Sequence, residues 1–314
     1  GIASAQEVNV YSTRSHYGSE PAFELFTEKT GIKVNFFMGN NNEVFERLRA
    51  EGADTGADVM VTVDAGNLWN AAREGLLMPV ESEVLMGNVP AHLRDPENRW
   101  FGLAVRARTI MYSTERVKPS ELSTYAALAD PKWKGRICLR TSNSIYNQSL
   151  LASAIGVHGE AVVEKMIGGW IANEPEIVNS DRPVLRAIAA GQCDVGITNS
   201  YYLARILARE PDLPVAPFWA NQETTGTHVN ISGAGVTKYA KNKENAVRLL
   251  EFITSVEAQE TLAASSFEYP ANPAAEPHAV LKGWGGFKQE QVGVAAAGEN
   301  QVAAIKLADR AGYR

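Results

Sequence analysis

Two cysteines are all that 314 residues provide, which excludes a disulfide scaffold and any cysteine-based zinc cluster. No run of 18 apolar residues occurs, so the chain offers no transmembrane helix. Basic residues do not predominate. Lys and Arg number 30 against 36 Asp and Glu, and the net charge of −6 argues against a nucleic-acid binder. Enzyme signatures are also missing: there is no Gly-x-Ser-x-Gly, no His-Glu-x-x-His, no phosphate loop and no complete Gly-x-Gly-x-x-Gly. The five histidines, at positions 16, 92, 158, 228 and 278, show no metal-ligand spacing. The expectation is therefore a protein that is not an enzyme. What is present is ordinary for a soluble globular chain, with 45% hydrophobic and 21% charged residues and enough length for two domains.

The two cysteines, Cys138 and Cys193, each sit beside a β-branched run in the same half of the chain. In an oxidising compartment they could pair across neighbouring strands, closing a loop worth roughly 4 kcal/mol in chain entropy. The alternative is a pair of buried free thiols. The opening Gly1-Ile-Ala-Ser-Ala-Gln-Glu carries small residues like the tail of a removed export signal, and export is the expectation. A cloning remnant on a cytosolic protein is the alternative.

Strands and helices alternate along the chain. Val8 to Tyr11, Ile32 to Met38 and Ala57 to Val63 read as strands, with helices over Glu20 to Thr30, Asn41 to Ala50 and Ala65 to Glu74 between and after them. That order implies a mostly parallel sheet covered by helices. Trp100 to Ser113 is too long for one ordinary strand and suits a segment that leaves one sheet and enters another. A second α/β set follows, with strands at Arg136 to Leu139 and Val195 to Thr198 and helices at Tyr146 to Ala154, Val162 to Ala172, Pro183 to Ala190 and Tyr201 to Arg209. Val215 to Val236 is again extended, helices run over Lys243 to Ser255 and Val256 to Ala264, and the tail reads as mostly helical. The expected layout is two lobes with hinge crossings near 101–108 and 216–230. Residues 1–102 with 226–276 form the N-terminal lobe, and 103–225 with 277–314 form the C-terminal one. Ligands of open α/β sheets sit at the carboxyl ends of strands, so a cleft between lobes is the expected site.

Three loops after strands stand out: Ser12-Thr-Arg-Ser-His16-Tyr17-Gly18, Arg140-Thr-Ser-Asn-Ser-Ile-Tyr146-Asn-Gln-Ser149 and Asn199-Ser-Tyr201-Tyr202. They hold four of the chain's 10 tyrosines. Their Ser, Thr and Asn residues at helix starts could bind an anion through backbone N–H groups, with the tyrosines as packing residues. A bound multivalent cation would instead stabilise phenolates and gather them into a hard anionic cage. Hard oxygen donors suit hard cations, and ferric iron fits a phenolate set best.

The chain resembles the periplasmic ferric-iron-binding proteins of ABC importers, of the FutA and FbpA type. The likeness rests on Val10-Tyr-Ser-Thr-Arg-Ser-His-Tyr17, Phe26-Thr-Glu-Lys-Thr-Gly-Ile-Lys-Val34, Ala57-Asp-Val-Met-Val-Thr-Val-Asp64 and Arg106-Ala-Arg-Thr-Ile. It continues in Ser144-Ile-Tyr-Asn-Gln-Ser-Leu150, Ala190-Gly-Gln-Cys-Asp-Val-Gly196 and Asn199-Ser-Tyr-Tyr202. The resemblance implies the two-lobe, type II periplasmic-binding-protein fold. It implies an exported, periplasmic monomer, free of membrane spans and nucleic acid, that captures ferric iron (Fe3+) and passes it to an ABC permease. Tyr17, Tyr146, Tyr201 and Tyr202 would ligate the iron. His16 matches a position that ligates in some members only, and Arg106 matches a basic residue beside the metal. Four phenols leave little need for an external anion, so the resemblance implies none, or only water, carbonate or citrate at an open position. The competing reading is the same fold binding a small oxyanion or organic solute.

Overall fold

The computed structural model describes residues 6–14 and 20–314. The alternation of β-branched runs with amphipathic segments produces two α/β units. The first comprises the described residues up to Val105 together with Ile231–His278, and the second comprises Arg106–Asn230 and Ala279–Arg314.

The first unit begins with β1 (Glu7–Ser12), α1 (Pro21–Thr30), β2 (Lys33–Met38), α2 (Asn41–Glu51), β3 (Val59–Val63) and α3 (Ala65–Arg73). Because helices connect these strands, β1 runs parallel to both β2 and β3. Local chemistry sets the helix ends. Pro21 occupies the first turn of α1, whose missing N–H costs nothing there, and the helix stops at Gly31 in the left-handed conformation, φ 75°. A capping box starts α2: Asn40 accepts from the N–H of Glu43, and the Glu43 carboxylate accepts from the N–H of Asn40. Then come β4 (Leu77–Met78), α4 (Glu83–Asn88) and the 13-residue β5 (Phe101–Ser113).

The chain changes unit inside β5, between Val105 and Arg106. The second unit continues with β6 (Ile137–Arg140), α5 (Ile145–His158), α6 (Glu160–Ala172), β7 (Glu176–Val178), α7 (Asp181–Ala190), β8 (Val195–Asn199), α8 (Ser200–Arg209) and β9 (Val215–Phe218). Its sheet runs β5-β8-β6-β7, with β9 also on β5. Strand alternation sends neighbouring side chains to opposite faces. Ile110 thus joins a core with Trp133, Ile167 and Trp170, while Met111 joins another with Val184, Leu185 and Ile188. Gly196 on β8 permits close approach to α7, for a Cβ there would lie 2.5 Å from Val184 and 2.7 Å from the Cys138 carbonyl oxygen.

The chain returns to the first unit within β10 (Val229–Thr237), between Asn230 and Ile231, and adds α9 (Lys243–Ile253), α10 (Val256–Ser266) and β11 (Tyr269–Pro270). The tail belongs to the second unit: α11 (Ala279–Gly283), α12 (Gly293–Ala296) and α13 (Gln301–Arg310). The unit junctions lie at 105/106, 230/231 and 278/279, and β5 and β10 run unbroken across the first two. Pairing is parallel within the β-α-β core of each unit. It is antiparallel where the crossing strands join, as with β10 on β3 and β5 on β8. A strand arriving from outside a unit needs no helical crossover, so nothing compels it to run parallel.

Cys138 on β6 and Cys193, two residues before β8, are joined by a disulfide with their Cα atoms 5.9 Å apart. The parallel β6–β8 pairing sets Cys138 opposite Gly196, and Cys193 lies in the segment that leads into β8, within reach of Cys138. The bridge closes a separation of 55 residues. Cys193→Ser, or reduction, is expected to remove roughly 2–4 kcal/mol of stability from the second unit. Denaturant unfolding with and without reductant checks this, and coincident curves would refute it.

Candidate metal centre

Arg106 and Arg108 stand two apart on β5 and therefore on one face of the sheet. Arg108 is 1% exposed, and its guanidinium makes four hydrogen bonds. Its Nε donates to Asn147 Oδ1 at 2.9 Å, and its Nη1 donates to Asp181 Oδ2 at 2.9 Å and Asn199 Oδ1 at 3.0 Å. Its Nη2 donates to Asp181 Oδ1 at 3.2 Å. One cation thus ties together the starts of α5 and α7 and the end of β8. Burial opposes its charge, but the Asp181 carboxylate outweighs that and holds the guanidinium above its usual range.

That staple gathers the phenols. Ser144 caps α5 by accepting from the N–H of Tyr146 at 3.2 Å, which places Tyr146 in the first turn, one residue before Asn147. Asn199 precedes α8, and its Nδ2 donates to Tyr201 Oη at 3.3 Å. The Tyr201 hydroxyl lies 3.2 Å from that of Tyr146 and donates to it. The Tyr201 and Tyr202 rings touch, with centroids 4.4 Å apart. Arg106, buried at 4% exposure, holds its guanidinium 5.0 Å from the Tyr201 ring centre, and Arg205 lies 4.8 Å from that centre. Arg140 lies 5.2 Å from the Tyr146 ring centre.

The electrostatics has a definite winner. Burial pushes the Tyr201 phenol well above its ordinary value, the Arg106 charge pulls it down, and the neighbouring phenols Tyr146 and Tyr202 push it up again. Burial prevails, so without a bound cation Tyr201 is protonated at neutral pH.

Three of the tyrosines expected as ligands, Tyr146, Tyr201 and Tyr202, thus meet in the second unit, with Arg106 beside them. Tyr17 and His16 lie outside the described residues. Among the described residues no group of three His, Cys, Asp or Glu side chains could hold a metal ion. The oxygen donors gathered here are phenols. Glu20, the carboxylate nearest in sequence to the first loop, is buried in an ion pair with Arg14 at 3.5 Å. The sequence assigned Arg108, Asp181, Asn147 and Asn199 no place in a frame that holds the tyrosines. The available signal was the Arg-x-Arg alternation on a strand of otherwise buried residues, which demands an acidic partner elsewhere.

Residues 54–283 match the model of a family described as bacterial extracellular solute-binding protein. The chain is 41% identical to iron uptake protein A1 of Synechocystis, with 98% of this chain and 88% of that protein covered. It superposes with a TM-score of 0.93 on Trichodesmium FutA in complex with iron and citrate, at 44% identity over 98% of this chain and all of the other. It also superposes on ferric iron-binding protein A of Mannheimia haemolytica in an open conformation, with a TM-score of 0.90 at 36% identity and coverage of 98% and 99%. The chain belongs to the bacterial extracellular solute-binding proteins, and its fold is the two-lobe type II fold of the periplasmic ferric-binding proteins.

Proposed function

We propose that this protein captures ferric iron as cargo through the phenolates of Tyr146, Tyr201 and Tyr202 and delivers it to an ABC permease. Tyr17, with His16 as a further donor, would complete the ligand set. The observation that carries the reading is the 3.2 Å approach of the Tyr146 and Tyr201 hydroxyls beside Tyr202. Two neutral phenols share a hydrogen bond at that distance. Two phenolates would repel by about 5 kcal/mol at an effective dielectric of 20. A trivalent ion touching both oxygens reverses the sign of that energy and supplies what burial denies Tyr201. The guanidinium of Arg106 offsets the excess negative charge of several phenolates and, with Arg140, offers a cationic flank to a water, carbonate or citrate at an open position. Iron-named relatives and the iron-and-citrate complex of a 44% identical protein support the same cargo. The family supports a periplasmic, exported setting, and the protein is proposed to act there as a monomer.

Adding ferric citrate to iron-stripped protein is expected to turn it orange to red through phenolate-to-iron charge transfer. About one proton is released for each phenol ionised. Because binding expels protons, acidification weakens it, by roughly tenfold per pH unit for each phenol. A protein that stays colourless under these conditions would sink the iron reading.

A further inference from the structure

We propose that a second pocket, within the second unit and separate from the tyrosines, binds a small uncharged and largely apolar molecule bearing one hydroxyl. The pocket measures about 220 Å³, and its walls include Leu150, Ala154 and Met166. Its lining also includes His228, Thr225 and Glu290. His228 is 5% exposed, and neither ring nitrogen has a hydrogen-bond partner among the described residues, nor has the buried Thr225 hydroxyl. The backbone of His228 is fully engaged. Its N–H donates to Tyr125 Oη at 3.1 Å, and its carbonyl accepts from the N–H of Arg108 at 3.1 Å. The residue is therefore anchored at the wall of a largely apolar cavity with the hydrogen-bonding capacity of its ring unused, an arrangement that buried polar groups otherwise avoid.

The charges around the pocket select the ligand. Burial, helped by the positive charge of Arg108, lowers His228 to about 3, so the imidazole is neutral and offers one donor and one acceptor. The largely apolar walls disfavour a cation, whose desolvation they cannot offset. The Glu290 carboxylate, already engaged by the N–H groups of Val292 and Gly293, disfavours an anion. What remains is a neutral hydroxyl that donates to one ring nitrogen or accepts from the other, with its apolar body against Leu150 and Met166.

The test is calorimetric titration of the full chain with 4-propylphenol and, as a control lacking the hydroxyl, propylbenzene. One saturable site is expected for 4-propylphenol. His228→Phe should weaken it roughly tenfold, the worth of a hydrogen bond, while leaving propylbenzene unaffected. Ala154→Leu, which fills the cavity, should abolish both. The wild-type His228 imidazole 15N shifts should also move on titration, a readout that does not depend on any variant folding. Absence of saturable binding, unmoved His228 shifts, or binding that survives Ala154→Leu would overturn the proposal. So would an equal loss of both probes in a folded His228→Phe protein.

Discussion

Tyr146→Phe combined with Tyr201→Phe is expected to weaken ferric iron binding by more than about 100-fold and to strip most of the visible charge-transfer band. Losing a partner that merely orients a metal ligand costs roughly 10–100-fold, and this variant would remove two ligands outright. The protein itself should survive the change. Phe keeps the ring contact of position 201 with Tyr202 and with the Arg106 guanidinium. What is lost is the hydroxyl pair at 3.2 Å and the bond from Asn199 at 3.3 Å, about 1 kcal/mol each in net stability. Tyr202→Phe alone should act in the same direction by a smaller amount, since the other two phenols remain paired. Competition against a chelator of known ferric affinity measures each effect. Unchanged affinity in the double variant would refute the ligand assignment and leave the phenols as packing residues.

The sequence pointed to the three tyrosines far better than to the frame that gathers them. Tyr146 and the Tyr201-Tyr202 pair are conspicuous because tyrosine is scarce and each follows a strand-like run at a helix start. That local pattern is what a strand-end loop looks like in one dimension. Asp181 and Asn147 carry no such mark. Asp181 reads as an ordinary first-turn acid on α7, favourable there for its charge alone. Its role depends on Arg108, 73 positions away, and no periodicity encodes a pairing of that span. The same limit applies to the fold. The β-α-β alternation was visible because hydrophobic period and turn residues are local. The direction of β10 against β3 and of β5 against β8 was not, because it depends on where a distant strand enters the sheet. Short elements such as β7 and α4, with three and six residues, hold too few positions to establish a period.

Asp181→Ala follows from that hidden frame and is expected to destabilise the second unit by roughly 3–5 kcal/mol. Asp181 is wholly buried and accepts from both terminal nitrogens of Arg108, from the N–H of Asn199 at 2.9 Å and from Arg140 at 3.4 Å. Removing it leaves the Arg108 guanidinium buried without a counter-charge, and an uncompensated buried charge is far costlier than the intact pair is stabilising. The test is a double-mutant cycle with Arg108→Met. If the pair acts as described, the double variant recovers most of the loss, because no uncompensated buried charge remains. Iron binding separates the roles further. Asp181 reaches no phenol directly, but it fixes Arg108, which holds Asn147 next to Tyr146 and Asn199 against Tyr201. Asp181→Ala should therefore weaken ferric binding by roughly 10–100-fold while leaving the charge-transfer band present at saturating iron, since every phenol is still there. Chemical unfolding monitored at the buried Trp133 and Trp170 of that unit reads the stability arm. A loss below about 1 kcal/mol would mean that Arg108 finds another counter-charge or water when Asp181 is gone, and that the staple is not what brings the three tyrosines together.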